Sequence, residues 1–488
     1  MKRRDFLRAA GIGAATAIAS PLLRARSTAT IEGNRLRIPR EWTGGGLEAA
    51  VTQTEVWPGE TTELFTLGGI WPGPTIRVRR GGTLDVAFTN RLAEPTTIHW
   101  HGLIVPPAMD GHPKDAVAPE GSFRYTFDVA NRAGTYWYHP HPHERTAAQT
   151  YRGMAGLLIV EDDEEQALDL PRGVLDIPLV IQDRYLNGAR TLDYAPTSSQ
   201  RLNGMLGDTV FVNGTPDAYH EVDAGLHRLR VLNGGNARIL RLAFSDGRRF
   251  SIIGTDGGLL DRPYEVSETY LAPAERVELL VDFSDLGAAE ESALVSLPFG
   301  TATVPEQQGY GLTVLRFVGT GASGHTRPAP ATLASLPPLG AVGEVAHTFM
   351  LDTSPIPREG HHHRINGKVF EMDSFESWRL TVGRPEVWEI VNNHTMPHPM
   401  HVHGTQFRII DRDGAPASDP RDRGWKDTVQ LDGLTSVRVL VSFDHTGLYL
   451  IHCHNLEHED DGMMLNFLVE APTGVDADAN LPTEMDLR

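Results

Sequence analysis

The chain contains one cysteine among 488 residues, so it cannot form an internal disulfide bond. It also has no excess of basic residues, since the formal net charge is −19, and this disfavours nucleic-acid binding, which needs a basic surface. Methionine is scarce, with 11 residues and no cluster between 320 and 400. These absences leave a globular composition with 40% hydrophobic and 22% charged residues, and an acidity that weakly favours cationic partners such as metal ions.

Long hydrophobic runs are also absent. Residues 1–8 are basic and contain the pair Arg3 and Arg4, and an Ala/Gly/Ile-rich run from Ala9 to Ser20 follows. This beginning resembles a bacterial twin-arginine export signal, to which we assign residues 1–29. The run is too short and too weakly apolar to span a membrane. We therefore expect a periplasmic or otherwise exported protein that is not inserted in the membrane.

Length predicts about three domains of ordinary size. Short strand patterns such as Thr83–Phe88 and Phe123–Val129 recur along the chain, separated by Gly, Pro and Asn, as is typical of β-sandwiches. A Pro/Gly/Ala/Ser-rich stretch predicts a linker. The predicted units are a first sandwich (30–165), a second (170–320), a linker (321–345), a third (346–472) and a polar tail (473–488).

The cysteine, Cys453, lies in a histidine-rich stretch near the end of the chain. Histidines flank it at 452 and 454, His458 follows after five residues, and Met463 after five more. One thiolate, nearby imidazoles and a weak axial methionine are what a mononuclear copper site requires. The preceding residues predict a strand, along which side chains alternate. Cys453 and its two neighbours are therefore predicted to face two different metal centres.

Four His-x-His pairs are distributed between the two ends of the chain. In an extended segment the two imidazoles of such a pair share a face and can converge on a metal. By the same parity, His398 faces away from His401 and His403. Eight imidazoles are thus available to one centre: His99, His101, His139, His141, His401, His403, His452 and His454. A separate copper is left with His398, Cys453, His458 and Met463.

In this order, the motifs resemble the four copper-binding segments of the multicopper oxidases, which include laccases, bilirubin oxidases and bacterial copper-efflux oxidases. The resemblance extends from about residue 45 to 472 and includes Val212-Asn213-Gly214 and Arg230–Asn233 in the middle of the chain. It implies an all-β fold of three cupredoxin-like Greek-key β-sandwich domains. The first and third domains would share a three-copper cluster, and the middle one, which has no His-x-His pair, would space them.

The resemblance also implies four copper ions as cofactors and O₂ as co-substrate. It assigns the type 1 copper to the third domain, with His398, Cys453 and His458 as ligands and Met463 in the axial position. It assigns the type 2 copper to His99 and His401. It assigns the type 3 pair to His101, His139, His141, His403, His452 and His454.

Three carboxylates match positions that matter in the family. Asp110 and Glu459 correspond to acids that deliver protons to the cluster, which is a usual task of carboxylates. Asp427 corresponds to a residue that lines the substrate entrance. For each of them, an ordinary surface or capping carboxylate is the competing interpretation. The histidine triplet 361–363 is predicted to be a solvated loop.

The predicted activity is laccase-like: one-electron oxidation of phenols or aromatic amines, coupled to four-electron reduction of O₂ to water. The missing methionine cluster favours an open type 1 site and puts a dedicated cuprous oxidase in doubt, but Cu(I) detoxification remains an alternative. A second alternative is a copper-free structural protein of cell division, against which the complete ligand set argues. We expect a monomer with small-molecule substrates.

Overall fold

The structure is a computed structural model that describes residues 31–186, 191–300, 306–324, 327–340 and 342–472. The predicted export signal (1–29) and polar tail (473–488) lie outside these residues. Strands make up most of the regular structure, which confirms the predicted all-β fold. In the described part of the chain, no helix is long and apolar enough to cross a bilayer.

The first two sheets, each of four strands, enclose one hydrophobic core. They follow a short strand, β1 (Asn34–Arg35). Their strands are β2 (Gly46–Trp57), β3 (Glu60–Leu67), β4 (Gly73–Arg79), β5 (Thr83–Asn90), β6 (His99–His101), β7 (Ser122–Asp128), β8 (Gly134–His139) and β9 (Gly156–Glu161). The orders are β3-β2-β5-β7 and β4-β9-β8-β6. Helices α1 (Thr146–Tyr151) and α2 (Asp163–Gln166) flank β9.

The middle region has a seven-stranded and a six-stranded sheet around a second core. Its elements are β10 (Asp176–Arg184), α3 (Ser198–Asn203), β11 (Thr209–Val212), β12 (Thr215–Pro216), β13 (Ala218–Ala224), β14 (Leu226–Asn233), β15 (Leu240–Phe244), β16 (Phe250–Thr255), β17 (Gly258–Val266), β18 (Glu268–Leu271), β19 (Arg276–Asp282), β20 (Glu291–Ser296) and β21 (Leu312–Ser323). The orders are β12-β11-β10-β14-β19-β16-β17 and β1-β13-β21-β20-β15-β18. Strand β1, which lies inside the predicted first sandwich, therefore belongs to a sheet of the middle region.

The last region has a seven-stranded and a five-stranded sheet around a third core. Its elements are β22 (Val345–Arg358), β23 (His361–Ile365), β24 (Arg379–Thr381), β25 (Glu386–Asn392), β26 (His398–Val402), β27 (Phe407–Arg412), β28 (Ala415–Pro416), β29 (Trp425–Lys426), β30 (Thr428–Leu431), β31 (Ser436–Val441), β32 (Gly447–Cys453), α4 (Leu456–Asp460) and β33 (Met464–Glu470). The orders are β23-β22-β25-β31-β27-β28, with β29 on β27, and β24-β33-β32-β26-β30.

Alternating burial explains why these segments form strands with one face on a core. Strand β5 alternates exposed and buried residues along most of its length, as a half-buried strand should. Strands β6, β8, β26 and most of β32 are instead buried on both faces, and each of them carries at least one histidine of the His-x-His pairs. Their second face is therefore covered by neighbouring parts of the protein and not by water.

Candidate metal centres

Strands β26 and β32 lie side by side and bring the histidine motifs of the third sandwich together. Their antiparallel register pairs Met400 with Cys453 and His401 with His452. Because side chains alternate along a strand, Cys453 and His452 point to opposite faces. Strand β32 thus supplies donor atoms to two groups. We call them the mononuclear group (His398, Cys453, His458 and Met463) and the histidine cluster (the eight residues of the His-x-His pairs).

The mononuclear group brings one sulfur and two ring nitrogens together. Sγ of Cys453 lies 3.5 Å from Nδ1 of His398 and 3.6 Å from Nδ1 of His458. The two Nδ1 atoms are 3.2 Å apart, so the three donors form a triangle typical of His₂Cys copper sites. Met463 is fully buried, and its main chain bonds to those of Cys453 and His458 at 3.0 and 2.9 Å.

Both imidazoles of the mononuclear group are anchored through the nitrogen that faces away from the sulfur. Nε2 of His398 lies 3.1 Å from the Thr353 hydroxyl, and Nε2 of His458 donates to the Leu202 carbonyl at 3.1 Å. The carbonyl bond leaves Nδ1 of His458 unprotonated, and both contacts direct Nδ1 toward the sulfur, where it can bind a metal. Burial lowers the pKa of His398 to about 3 and raises the pKa of the Cys453 thiol. A bound cation would offset the second effect by stabilising the thiolate.

In the histidine cluster, His99 and His401 face each other across the boundary between the first and third sandwiches. Their Nε2 atoms are 3.3 Å apart. Each ring donates its other nitrogen to a main-chain carbonyl: Nδ1 of His99 to Asp110 at 2.7 Å, and Nδ1 of His401 to Asp427 at 2.8 Å. Such carbonyl bonds fix the tautomer and direct Nε2 at a metal.

The other six histidines form two trios. In one, Nε2 of His452 lies 3.3 Å from Nε2 of His141 and 3.0 Å from Nε2 of His403. In the other, Nδ1 of His101 is 3.4 Å from Nε2 of His139. The ring of His454 completes this trio, with its centroid 5.0 Å from that of His101 and 5.1 Å from that of His139.

The donor set fits copper. Burial lowers the pKa of the rings at 99, 101, 139, 141, 401, 403 and 454, so these imidazoles are neutral and have a free lone pair. Neither ring nitrogen of the buried His454 has a hydrogen-bond partner. Lone pairs that face one another at 3.0–3.4 Å are stabilised by a cation between them. Imidazoles with a thiolate are ligands that copper prefers.

Comparison with known proteins agrees with this geometry. Two family models, both described as multicopper oxidase, match residues 49–165 and 345–473. The multicopper oxidase mco of Staphylococcus aureus is 34% identical over 422 residues, which cover 86% of this chain and 86% of the relative. The chain belongs to the multicopper oxidase family.

Two further similarities frame the functional question. The crystal structure of the McoA multicopper oxidase from the hyperthermophile Aquifex aeolicus is 36% identical, with a TM-score of 0.82 over 90% of this chain and 100% of that one. The cell division protein FtsP of Photorhabdus laumondii subsp. laumondii is 32% identical over 477 residues, 94% of this chain and 97% of the relative. The similarity to McoA confirms the predicted fold of cupredoxin-like sandwiches as well as the family. Membership of this family implies that the protein binds copper.

Asp110 lies inside this multicopper oxidase, against two members of the histidine cluster. Its Oδ2 accepts a hydrogen bond of 2.7 Å from Nδ1 of His403, and its main-chain carbonyl accepts one from His99. Its Oδ1 is buried, forms no hydrogen bond and lies 3.5 Å from Nδ1 of His99. Burial raises the pKa of Asp110 to about 8. A carboxyl group that holds a proton near neutral pH beside the cluster is suited to proton delivery.

Glu459, on α4, is the second buried acid beside the cluster. Its carboxylate oxygens lie 3.6 Å from Nε2 of His141 and 3.3 Å from Nδ1 of His452. The next residue, Asp460, accepts hydrogen bonds from the main-chain N–H groups of Thr146 and Ala147 at the start of α1. These bonds link α4 to the first sandwich and hold Glu459 in place.

Asp427 does not line an open substrate entrance, and the sequence-based placement of this residue is wrong. Its side chain is fully buried and forms a salt bridge with Arg276. Its Oδ1 accepts from Nε2 of His101 at 3.0 Å. The entrance assignment failed because the motif around Asp427 reveals nothing about which sandwich covers it.

The histidine triplet 361–363 is not a solvated loop; it forms most of β23, so this prediction is also wrong. A turn at Glu359 and Gly360, both with positive φ, pairs β23 with β22. His363 is fully buried, and its ring stacks on that of His458 with centroids 3.8 Å apart. The Thr353 hydroxyl lies between Nδ1 of His363 (3.2 Å) and Nε2 of His398 (3.1 Å). The turn residues were the sequence signal that could have indicated the pairing of β22 and β23.

The mononuclear group is covered, not open as the sequence predicted. His458 is fully buried because the α3 segment (residues 191–206) lies over it. Glu457 anchors this segment: its carboxylate accepts from the Tyr194 hydroxyl at 3.1 Å and from the Met205 N–H at 2.9 Å. The predicted openness failed because it rested on a missing methionine cluster, and another part of the chain supplies the cover.

Proposed function

We propose that this multicopper oxidase oxidises small phenols or aromatic amines by one electron at the mononuclear group and reduces O₂ to water at the histidine cluster. The supporting observation is the division of strand β32 between the two groups, with Cys453 on one face and His452 on the other. One peptide bond on each side of Cys453 joins it to a histidine of the cluster, His452 or His454. Electrons that enter on one side thus have a covalent route to the other.

The ligand set we propose holds four copper ions. His398, Cys453 and His458 would hold the type 1 ion with Met463 axial, and His99 and His401 the type 2 ion. The two trios would hold the type 3 pair: His101, His139 and His454, and His141, His403 and His452. When bound, four coppers would store the four electrons that O₂ needs and so avoid release of partly reduced oxygen.

The carboxylates of this chain supply protons in this proposal. Asp110 holds its proton through burial, and its Oδ1, which no hydrogen bond occupies, can deliver that proton while Oδ2 accepts from Nδ1 of His403. Glu459 serves two other histidines of the cluster, His141 and His452. Two acids match a reaction that consumes several protons for each O₂.

The cover over His458 restricts the electron donor. Nε2 of His458 faces the Leu202 carbonyl, and the ring stacks on His363 of β23. An electron donor therefore contacts α3 or β23 and does not contact the His458 ring itself. A small phenol or aromatic amine satisfies this restriction because it delivers a single electron without forming a bond to the site. The proposed protein is exported through a twin-arginine signal and is a monomer.

Cu(I) is a second candidate donor, and a surface pair favours it. Nε2 of His394 lies 3.7 Å from Oδ1 of Asp352, and both side chains are about one-third exposed, at 35% and 34%. Asp352 precedes Thr353, which contacts the ligand His398. An imidazole and a carboxylate at this position could receive a copper ion close to the mononuclear group.

A structural role without copper, as the name of the FtsP relatives suggests, is the third candidate. The full donor set in both ligand groups argues against it. A Cu–thiolate centre colours a protein blue. Purified protein that stays colourless and binds no copper when copper is supplied would favour the structural role and overturn the proposed oxidase.

The deciding experiment is oxygen uptake by the fully copper-loaded chain, with a methoxyphenol or a chelated Cu(I) donor, each with and without added Cu(II). Rapid uptake with the phenol, independent of added Cu(II), is the expected result. Uptake confined to Cu(I), or a phenol rate that appears only with added Cu(II), would assign copper detoxification instead. His394→Gln is the matched variant, because it should lower the Cu(I) rate and leave the phenol rate unchanged.

A further inference from the structure

The middle sandwich has no histidine in either ligand group, but one of its side chains reaches the histidine cluster. Arg276, the first residue of β19, is fully buried. Its Nη1 and Nη2 atoms donate to the two carboxylate oxygens of Asp427 at 2.7 and 2.5 Å. Such a two-pronged contact fixes both the position and the rotation of a carboxylate.

Every N–H of the Arg276 guanidinium has an acceptor. Besides the two bonds to Asp427, Nε donates to the Thr135 carbonyl at 3.0 Å, Nη1 to Ala274 at 2.9 Å and Nη2 to Asp256 at 2.9 Å. Thr135 belongs to the first sandwich and Asp427 to the third. The arginine is therefore held rigidly at a junction of all three sandwiches.

Asp427, held in place by Arg276, contacts two histidines of the cluster. Its Oδ1 accepts from Nε2 of His101 at 3.0 Å, and its main-chain carbonyl accepts from Nδ1 of His401 at 2.8 Å. The Thr428 hydroxyl supports the first contact, at 3.1 Å from Nε2 of His101 and 3.0 Å from Oδ1 of Asp427. Asp427 thus orients an imidazole from each outer sandwich, His101 through its carboxylate and His401 through its main-chain carbonyl.

His101 is bonded differently from the other histidines of the cluster. Within the described residues, it is the one whose Nε2 is held by a carboxylate and whose Nδ1 faces a neighbouring ligand. Five others are anchored through Nδ1 and present Nε2: His99, His139, His401, His403 and His452. The main-chain carbonyls that serve most of these rings do not serve His101. Its reversed orientation depends on Asp427.

The backbone after His101 is fitted to the same pair. Gly102 has φ +84°, and a Cβ atom there would overlap Oδ2 of Asp427 and crowd Nη2 of Arg276. Without Arg276, the buried carboxylate of Asp427 would lose its charge partner and could rotate toward other donors. His101 would then lose the bond that keeps the proton on Nε2.

We infer that Arg276 is a positioning residue of the oxygen-reducing centre: by clamping Asp427, it makes His101 present Nδ1 to the type 3 copper pair. The inference rests on the proposed ligand set. It gives the middle sandwich an active part in cluster assembly, beyond that of a spacer. Loss of such an outer contact typically costs about 10- to 100-fold in metal affinity or activity.

The test is Arg276→Gln in the full, copper-loaded chain. The blue Cu–thiolate absorption should match that of the parent, because the mononuclear group does not contact Arg276. The near-ultraviolet absorption of the coupled copper pair should weaken, and more of the bound copper should become visible by electron paramagnetic resonance. Oxygen uptake should fall about 10- to 100-fold.

Arg228→Gln is the matched control. Arg228 is an equally buried arginine on the adjacent strand β14, paired with Glu278 and Glu165, and it touches no histidine of the cluster. This variant should unfold at a lower temperature but keep the near-ultraviolet band. A merely structural role of Arg276 would give both variants the same spectrum, and this result would overturn the inference.

Two further variants cover a failure of Arg276→Gln to fold. Arg276→Lys keeps the charge but not the fork, so its copper pair should also be partly uncoupled, and an unchanged spectrum would overturn the inference. Arg276→Gln combined with Asp427→Asn should be no worse than Asp427→Asn alone, since both changes break one chain of contacts. A parent protein that binds copper without any near-ultraviolet band would instead overturn the proposed ligand set.

Discussion

The two ligand groups on either side of β32 differ in how many parts of the chain must meet to build them. The mononuclear group draws all of its donors from the third sandwich, within residues 398–463. The histidine cluster takes half of its imidazoles from strands and turns of the first sandwich, and the contacts between His99 and His401 cross more than 300 residues. The first group therefore depends on the folding of one sandwich, whereas the second also depends on docking.

The middle region serves both groups without contributing a ligand to either. Its α3 segment covers His458 through the Leu202 carbonyl, and Arg276 lies behind His101 through Asp427. The Leu202 contact controls access to the mononuclear group, and the Arg276 contact controls the geometry of the histidine cluster. A sandwich that contributes no ligand can therefore still determine how the ligands of its neighbours are reached and oriented.

The strongest way to separate the two groups is Cys453→Ser. The hydroxyl is a poor replacement for a thiolate, so the blue colour and oxygen uptake with any donor should be abolished. The near-ultraviolet band of the histidine cluster should persist, because its eight rings keep their contacts. Absorption spectra and copper analysis provide the measurement. Loss of copper from both groups would show that the cluster depends on the mononuclear site.

Asp110→Asn should impair the cluster and spare the mononuclear group. An amide at the position bonded to His403 has no acidic proton to give, and general-acid contributions are typically about 10²-fold or more. Oxygen uptake should fall by that factor, while the rate at which phenol bleaches the blue colour under anaerobic conditions is unchanged. Asp128→Asn, at an exposed carboxylate that accepts from the Thr83 hydroxyl, is the control and should retain full uptake.

Acid should destabilise the copper-free protein mainly through the histidine cluster. Burial lowers the pKa of His141 to about 4, whereas an unfolded histidine titrates near about 6.5. Between these values the unfolded state binds more protons, so the free energy of unfolding falls as pH falls from about 6.5 to about 4, by up to about 1.4 kcal/mol per histidine and pH unit. Thermal unfolding of the copper-free protein across this pH range measures the slope. A free energy of unfolding that does not change between pH about 4 and about 6.5 would contradict the prediction.

The smallest expected effect concerns the cover over the mononuclear group. Tyr194→Phe removes one hydroxyl bond to Glu457 and should loosen the α3 segment by about 1 kcal/mol. The kcat/KM for a bulky phenol should then rise by about fivefold at most, with no change for a small one. Tyr310→Phe, at an exposed position, is the control. A rise for both phenols would place the effect outside the cover.

The sequence predicted those features that depend on local pattern. Alternation along a strand separated Cys453 from its histidine neighbours, and the structure brings Cys453 to His398 and His452 to His403. The all-β fold followed from many short alternating segments. The location of Asp427, the burial of His363 and the cover over His458 depend on contacts between distant segments, which no local pattern encodes.

The contact between Arg276 and Asp427 could not be predicted from a local sequence pattern either. An arginine at the start of a middle strand carries no motif, and its partner Asp427 lies 151 residues further along the chain. The turn at Glu359 and Gly360 was readable, but the face that β23 would bury was not.

The separation of the ligands along the chain also sets an order of events during biosynthesis. While the ribosome is still adding the middle sandwich, the nascent protein carries four of the eight imidazoles and one half of the pair formed by His99 and His401. The last two cluster ligands, His452 and His454, emerge within the final tenth of translation. Copper loading of the cluster is therefore a post-translational event, and a chain truncated before residue 452 has no means of completing it.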